Sequence, residues 1–302
     1  MVESAGWKEA FSPHTQTMTR IDASFKVCAL LGFPAHHSMG PAIHNTAFEE
    51  LGLPFVYVAH DVAPADLAAA IAGARAFGYR GLSITMPHKV AALDLVDDVD
   101  ATARAIGCIN TVVNDHGRLI GYNSDGQGAL DALARAGIAI SGRRVLVLGS
   151  GGAARAVAMT VALLGRPAEL EILGVVEDEL ARLARDITEK SASLVRSGKL
   201  DDATLASAAE RADVLLHCTP IGMTPKTERT LVPRNLLRPE LAVFDAVYNP
   251  RRTLLLKEAA ALGCRVVEGM EMFLGQAMVQ FQLWTGKVAP LGAMRCVIEE
   301  RL

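Results

Sequence analysis

The apolar run Val145-Leu146-Val147-Leu148 leads into Gly149-Ser150-Gly151-Gly152-Ala153-Ala154, and an Ala-rich helical pattern continues from Ala153 to Leu164. With Gly149, Gly151 and Ala154 in its three small-residue slots, the stretch fits the dinucleotide fingerprint G-x-G-x-x-G/A. The chemistry is pyrophosphate binding. Gly149 permits a tight turn and Gly151 lets backbone approach the phosphates. The helix start offers unpaired N–H groups and the positive end of a dipole. Glycines also sit in ordinary turns, so the argument rests on the strand before and the helix after. Four polar clusters upstream exceed what a scaffold requires: Ser38, Thr85 with Lys89, Asn110-Thr111, and Asn123-Ser124-Asp125. They fall at the ends of strand-like runs, where ligands of α/β sheets collect.

The elements that must position these groups alternate. Lys26 to Leu31, Phe55 to Val58 and Gly81 to Thr85 read as strands. Pro41 opens a helix with Ile43, Ala47, Phe48 and Leu51 on one face, and Pro64 to Phe77 is another helix. Ile109 to Val113 and Arg118 to Tyr122 flank Asp115-His116-Gly117 as a hairpin. After the glycine loop, strands at Leu170 to Leu173, Val214 to His217 and Val243 to Asp245 alternate with helices near Glu177, Asp202 and Leu254. That alternation predicts a parallel sheet with helices on both faces. The expected organisation is α/β: a loose tail over 1–24, an N-terminal α/β domain over 25–125, and a Rossmann-type parallel-sheet dinucleotide-binding domain over 126–269. Two helices within 270–302 return to the first domain.

A chain of 302 residues is long enough for two such domains. A formal net charge of −3 leaves no basic footprint, which argues against nucleic acid and membrane surfaces as partners. The five cysteines are odd in number and form no Cys-x-x-Cys pair, so neither a disulfide framework nor a zinc site is expected. No signal-peptide pattern or membrane-length apolar stretch is apparent, and a reducing cytoplasm is the expected home.

The order of the clusters then becomes specific. Pro34…His37-Ser38…Pro41…His44, Thr85-Met86-Pro87-His88-Lys89, Ile109-Asn110-Thr111, Asn123-Ser124-Asp125-Gly126, the glycine loop, Asp245…Tyr248-Asn249-Pro250 and Gly269…Gln276-Ala277 together resemble the shikimate dehydrogenase family. The resemblance covers nearly everything from residue 26 onward. It implies hydride transfer between a nicotinamide and a small cyclic hydroxy acid, interconverting shikimate and 3-dehydroshikimate. Lys89 and Asp125 match the family's catalytic pair. An ammonium beside a ketone oxygen stabilises the charge that appears there as hydride reaches carbon, and it gives the proton. From residue type alone the two could equally be a surface ion pair.

By the same resemblance Ser38 matches a serine that holds the substrate carboxylate, although it could instead cap the helix that follows. The family's second serine is Gly40 here, a change expected to remove a donor and open space. Thr85, Asn110 and Gln276 match positions that hold substrate hydroxyls, and Tyr248 matches one near the carboxylate. Asn110 could otherwise be a turn residue, and Gln276 a polar residue on a helix. Ser83 stands where many members carry Asn. His36, His37 and His88 receive no role, and Met270, Met272 and Met278 read as core.

The expected cofactor-binding residues are Gly149, Ser150, Gly151, Gly152, Ala153, Glu177, Thr219, Gly222 and Gly269. Members that prefer NADP carry arginines after the second strand of this domain. Here that stretch is Leu173-Gly174-Val175-Val176-Glu177-Asp178, with two acids and no cation, so NAD is the expected cofactor and NADP the alternative. Singly, Glu177 or Asp178 could simply complement the helix dipole. Quinate or an amino-substituted relative is the alternative substrate. A non-catalytic nucleotide sensor and a folate-type dehydrogenase are the rival classes. The chain is expected to be a monomer or homodimer with no resident metal.

Overall fold

The computed structural model describes residues 21–301, so the tail expected over 1–24 lies almost wholly outside the described residues. The first half supplies β1 (Lys26–Gly32), α1 (Gly40–Glu50), β2 (Phe55–Asp61), α2 (Leu67–Ala76) and β3 (Gly81–Ile84). It continues with β4 (Asp98–Val99), α3 (Ala101–Ile106), β5 (Thr111–Asp115), β6 (Arg118–Tyr122) and α4 (Asp125–Arg135). These strands make one sheet in the order β2-β1-β3-β5-β6-β4. β1 runs parallel to β2 and β3, whereas β5 is antiparallel to β3 and β6. The hairpin turns on His116 (φ 52°) and Gly117 (φ 94°). Two successive left-handed residues match the twist of the strands they join.

The second half gives β7 (Arg144–Leu148), α5 (Gly152–Thr160), β8 (Glu169–Gly174), α6 (Glu177–Lys190), β9 (Leu194–Lys199) and α7 (Asp202–Arg211). Then come β10 (Val214–His217), β11 (Ala242–Asp245), α8 (Leu254–Ala261), β12 (Arg265–Val267), α9 (Gly269–Thr285) and α10 (Leu291–Glu299). The sheet is parallel throughout, in the order β12-β11-β10-β7-β8-β9. Strand order reverses between β7 and β10, which leaves a crevice at the carboxyl end of β7. β9 and β12 were not expected. β9 is an edge strand whose Leu194, Arg196, Ser197 and Lys199 are exposed, so it has no buried apolar run, and β12 has three residues.

Buried side chains alternate to the two faces of each sheet, as the two-residue period of a strand requires. Val145 and Val147 pack with the α5 and α6 side, while Leu146 and Leu148 pack with α7 and α8. In the first sheet Cys28 and Leu30 face α1, α9 and α10, while Ala29 and Leu31 face α2. Of the two C-terminal helices, α10 lies on α1, and α9 packs Leu274, Phe281 and Trp284 into the core beneath the first sheet while also lying on α4. The α9–α4 contact is backbone to backbone. A Cβ on Gly128 would sit 2.5 Å from the Gln276 nitrogen, and one on Gly275 would sit 2.7 Å from the Gly128 carbonyl oxygen. Two glycines thus bring α9, with Gln276 on it, against the helix that begins at Asp125. Met270 and Met272 are buried core and Met278 packs against the cluster that holds the first of them, while Met272 also reaches the cavity described next.

Candidate active site

Lys89 follows β3 in a loop that is fastened at both of its last residues. The buried His88 places Nε2 2.8 Å from the Val62 carbonyl oxygen, and the Lys89 carbonyl accepts from the Ile109 N–H at 2.9 Å. His88 is therefore a structural support. Asp125 is the first residue of α4, where a carboxylate complements the helix dipole. The Lys89 Nζ lies 2.6 Å from Asp125 Oδ2, and the Asn110 amide donates to Oδ1 at 2.8 Å. The side chains are only 27% and 13% exposed, so this is not a surface ion pair. Burial by itself pushes the Lys89 ammonium toward neutrality. The Asp125 charge and hydrogen bond, together with the Cys108 thiol, outweigh it and hold Lys89 above the ordinary lysine range.

That direction has a kinetic sign. A protonated lysine facing a ketone would be the acid for its reduction, and a raised pKa extends the protonated form upward in pH. Reductive kcat/KM is expected to stay level through neutral pH and fall only at or above the ordinary lysine range. Alcohol oxidation, which needs the proton removed, is expected to climb with pH. Opposed pH–rate profiles in the two directions check this.

The pair faces a cavity of about 360 Å³. Ser38, Gly40, Thr85, Asn110, Tyr248, Gly269 and Gln276 all line it with Lys89 and Asp125, so the expected substrate residues are brought together. Ser38 Oγ accepts from the Gly40 N–H at 3.1 Å, which leaves its own proton for a ligand. The cap residue of α1 is Met39, and no side chain caps the helix formally. Ser38 thus supports the first turn and remains a donor.

The space expected at Gly40 is not open. A Cβ there would lie 3.3 Å from the Tyr57 Oη and 3.2 Å from Ser38 Oγ, because the Tyr57 ring, stacked on His44 at 4.6 Å, fills that volume. Tyr248 stacks on Phe273 at the rim, and Gln276 donates to the Phe273 carbonyl, leaving its amide oxygen for a ligand. The Asn110 nitrogen, by contrast, is engaged with Asp125 and Ser124. Tyr57, His44 and Gln280 were missed as lining residues. Gln280 had a signal, being one helical turn beyond Gln276 on the same face.

At the crevice, Gly149 has φ 114°, which only glycine adopts at ease. Gly151 is the cap residue of α5 with no side-chain cap bond, and a Cβ on Gly151 or Gly152 would meet nothing within 4 Å. The first-turn N–H groups of α5 are therefore unpaired and approachable, as a pyrophosphate site needs. Ala153 bridges from this loop to the cavity. Thr219 adjoins Gly149, its Cγ2 lying 3.2 Å from where a Cβ there would sit. Gly222 (φ 88°) is packed near the Arg229 carbonyl instead. Glu177 opens α6 exposed to solvent, while Glu179 in the same turn brings its carboxylate within 3.5 Å of the Ser150 hydroxyl. A Cβ on Gly269 would meet the Val247 carbonyl oxygen at 2.5 Å, so this glycine is also needed for packing. Residues for a nicotinamide dinucleotide are thus present.

Comparison with known proteins agrees with this geometry. The profile of the shikimate dehydrogenase substrate binding domain matches residues 30–112, and that of the shikimate 5'-dehydrogenase C-terminal domain matches 269–298. A shikimate dehydrogenase (NADP+) of Moorella thermoacetica is 42% identical over 285 residues, covering 94% of this chain and 96% of its own. The chain belongs to the shikimate dehydrogenase family. Its fold agrees with that of two solved structures. Shikimate 5-dehydrogenase from Listeria monocytogenes, in complex with shikimate and NAD, superposes with a TM-score of 0.89 at 33% identity over 92% of this chain and 98% of that one. The ligand-free 5-ketofructose reductase of a Gluconobacter strain superposes with a TM-score of 0.86 at 30% identity, covering 93% of this chain and 100% of that one. The family's members are oxidoreductases acting on a CH–OH group, and a non-catalytic sensor would have no need of the Lys89–Asp125 contact. Among the described residues no helix is long and apolar enough to cross a membrane, and no group of three or more His, Cys, Asp or Glu could hold a metal ion.

Proposed function

We propose that this chain interconverts 3-dehydroshikimate and shikimate with a nicotinamide cofactor. The observation that carries the reading is the 2.6 Å Lys89–Asp125 contact in a cavity whose walls include both Ser38 and the Ala153 end of the glycine loop. When bound, the nicotinamide supplies or accepts the hydride. Lys89 holds a proton against the ketone oxygen and releases it as negative charge develops there. Asp125 then faces a neutral amine, which regains its proton from solvent. In oxidation the same amine takes the hydroxyl proton, after its ammonium has lost one. Ser38 and Tyr248 orient the carboxylate end, Thr85 and Gln276 the hydroxyls, so that the reacting carbon is presented to the cofactor side.

We assign 25–125 with 270–302 to the substrate unit and 126–269 to the cofactor unit, a reading supported by the packing of α10 on α1 and of the α9 residues Leu274, Phe281 and Trp284 in the core of the first sheet. NAD is the preferred cofactor in this reading, because β8 runs into Gly174, two exposed valines and the three acids Glu177, Asp178 and Glu179. The compartment is reducing cytoplasm, which suits five free cysteines of which four are buried.

Steady-state rates on shikimate, quinate and an amino-substituted analogue, each with NAD and NADP, test the assignment. Shikimate is expected to give the highest kcat/KM, and a preference for either of the others would replace it. Ser38→Ala is expected to raise the shikimate KM by about 10-fold, the size of one hydrogen bond to a charged group, with kcat little changed. An unchanged KM in a stable variant would leave Ser38 a purely structural residue.

A further inference from the structure

A run of buried hydrogen bonds connects the far wall of the cavity to the catalytic carboxylate. The Ser83 hydroxyl donates to Gln280 Oε1 at 3.0 Å. The Gln280 amide nitrogen donates to Thr111 Oγ1 at 3.0 Å and to the Asn110 main-chain carbonyl at 3.3 Å. The Thr111 hydroxyl donates to Asn110 Oδ1 at 2.7 Å, and the Asn110 nitrogen donates to Asp125 Oδ1 at 2.8 Å. Ser83, Gln280, Thr111 and Asn110 are at most 5% exposed.

Two backbone groups fix the direction of this chain. A main-chain carbonyl only accepts, so the nitrogen of Gln280, and not its oxygen, must face Asn110. A main-chain N–H only donates, and that of Ser124 lies 2.8 Å from Asn110 Oδ1, so the Asn110 oxygen must face Ser124 and its nitrogen Asp125. With Gln280 donating to Thr111, the hydroxyl proton of Thr111 is left for Asn110. Each link therefore donates toward Asp125, and aligned donors in a dry interior polarise one another.

We propose that Thr111 and Gln280 are positioning residues, which hold the Asn110 amide so that Asp125 stays an oriented carboxylate with Oδ2 on Lys89. The proposal rests on the reading of Lys89 as proton donor. Thr111 is fully buried and does not line the cavity, so a change there reaches the reaction only through the groups it bonds, Asn110, Gln280 and Ser124. Gln280 joins α9 to the start of β5, and α9 also carries Gln276.

The experiment compares Thr111→Val, Thr111→Ser and Lys89→Met in steady-state assays, with thermal midpoints measured alongside. Thr111→Val keeps the shape and removes the hydroxyl. It is expected to lower kcat by about 10-fold while the substrate KM stays within about twofold, since misplacement of a catalytic group acts on the chemical step. Thr111→Ser keeps the hydroxyl and is expected to recover most of that loss. Should Thr111→Val not fold, Gln280→Met replaces it, because a thioether of similar length fills the space without a donor for Thr111 and without a buried charge. The same fall in kcat is expected. Full kcat in Thr111→Val or Gln280→Met, with Lys89→Met inactive, overturns the proposal alone. Full activity in Lys89→Met overturns the reading beneath it.

Discussion

Lys89→Met is expected to lower kcat by about 10²-fold or more, with a change of only a few-fold in substrate KM. Methionine retains the length and apolar stem of the side chain but has no proton to give and no charge to set against a developing alkoxide. The loss therefore appears in the transition state, where the oxygen is most negative, and little of it in the ground state, where the ketone is neutral. The fold is expected to survive. Asp125 keeps the Asn110 amide on Oδ1, so the carboxylate retains a hydrogen bond when Oδ2 loses Lys89. Near-normal kcat in a stable Lys89→Met protein would mean that another group, or water, supplies the proton.

The second large effect concerns the cofactor. NAD is expected to give a kcat/KM at least ~10-fold above that of NADP, equivalent to about 1.4 kcal/mol. The extra phosphate of NADP would lie beyond the end of β8, near Gly174 and the acidic first turn of α6. Arg196 is the cation that could have changed this outcome, but it is held elsewhere. It pairs at 2.7 Å with Glu169 at the amino end of β8, far from the crevice. Lys199 remains, its Cα in register with Gly174 across the β8–β9 pair, where its long flexible side chain is exposed. One lysine facing Glu177, Asp178 and Glu179 leaves the local field negative. If NADP proves the better cofactor, Lys199→Ala should abolish the preference, which would place the phosphate on β9 and not on the loop after β8.

What could be read in the sequence depended on how local its cause was. The glycine loop was legible because a turn needing positive φ at Gly149 and an uncapped helix start are properties of six adjacent residues. The hairpin at His116-Gly117 was legible for the same reason. Lys89 and Asp125 are far apart in the chain, and only the order of several clusters identified them as a pair. β9 escaped because an exposed edge strand has no buried face to impose a pattern. The space at Gly40 was misjudged because its occupant, Tyr57, comes from β2, and no local signal places a ring from one element beside a glycine of another. The Ser83-to-Asp125 hydrogen bonds span β3, α9 and β5, so they exist only once both sheet and helix are in place.

The central claim is direct hydride transfer to a ring ketone that Lys89 protonates. It is tested by reducing 3-dehydroshikimate in ordinary water with a nicotinamide carrying deuterium at its reactive carbon. Direct transfer from a nicotinamide deuterated at both positions of that carbon is expected to give shikimate with one deuterium on the carbon that bore the ketone, at a rate that falls in Lys89→Met as the unlabelled reaction does. Shikimate without deuterium, or no reduction of this ketone by the wild-type protein with either cofactor, would contradict it.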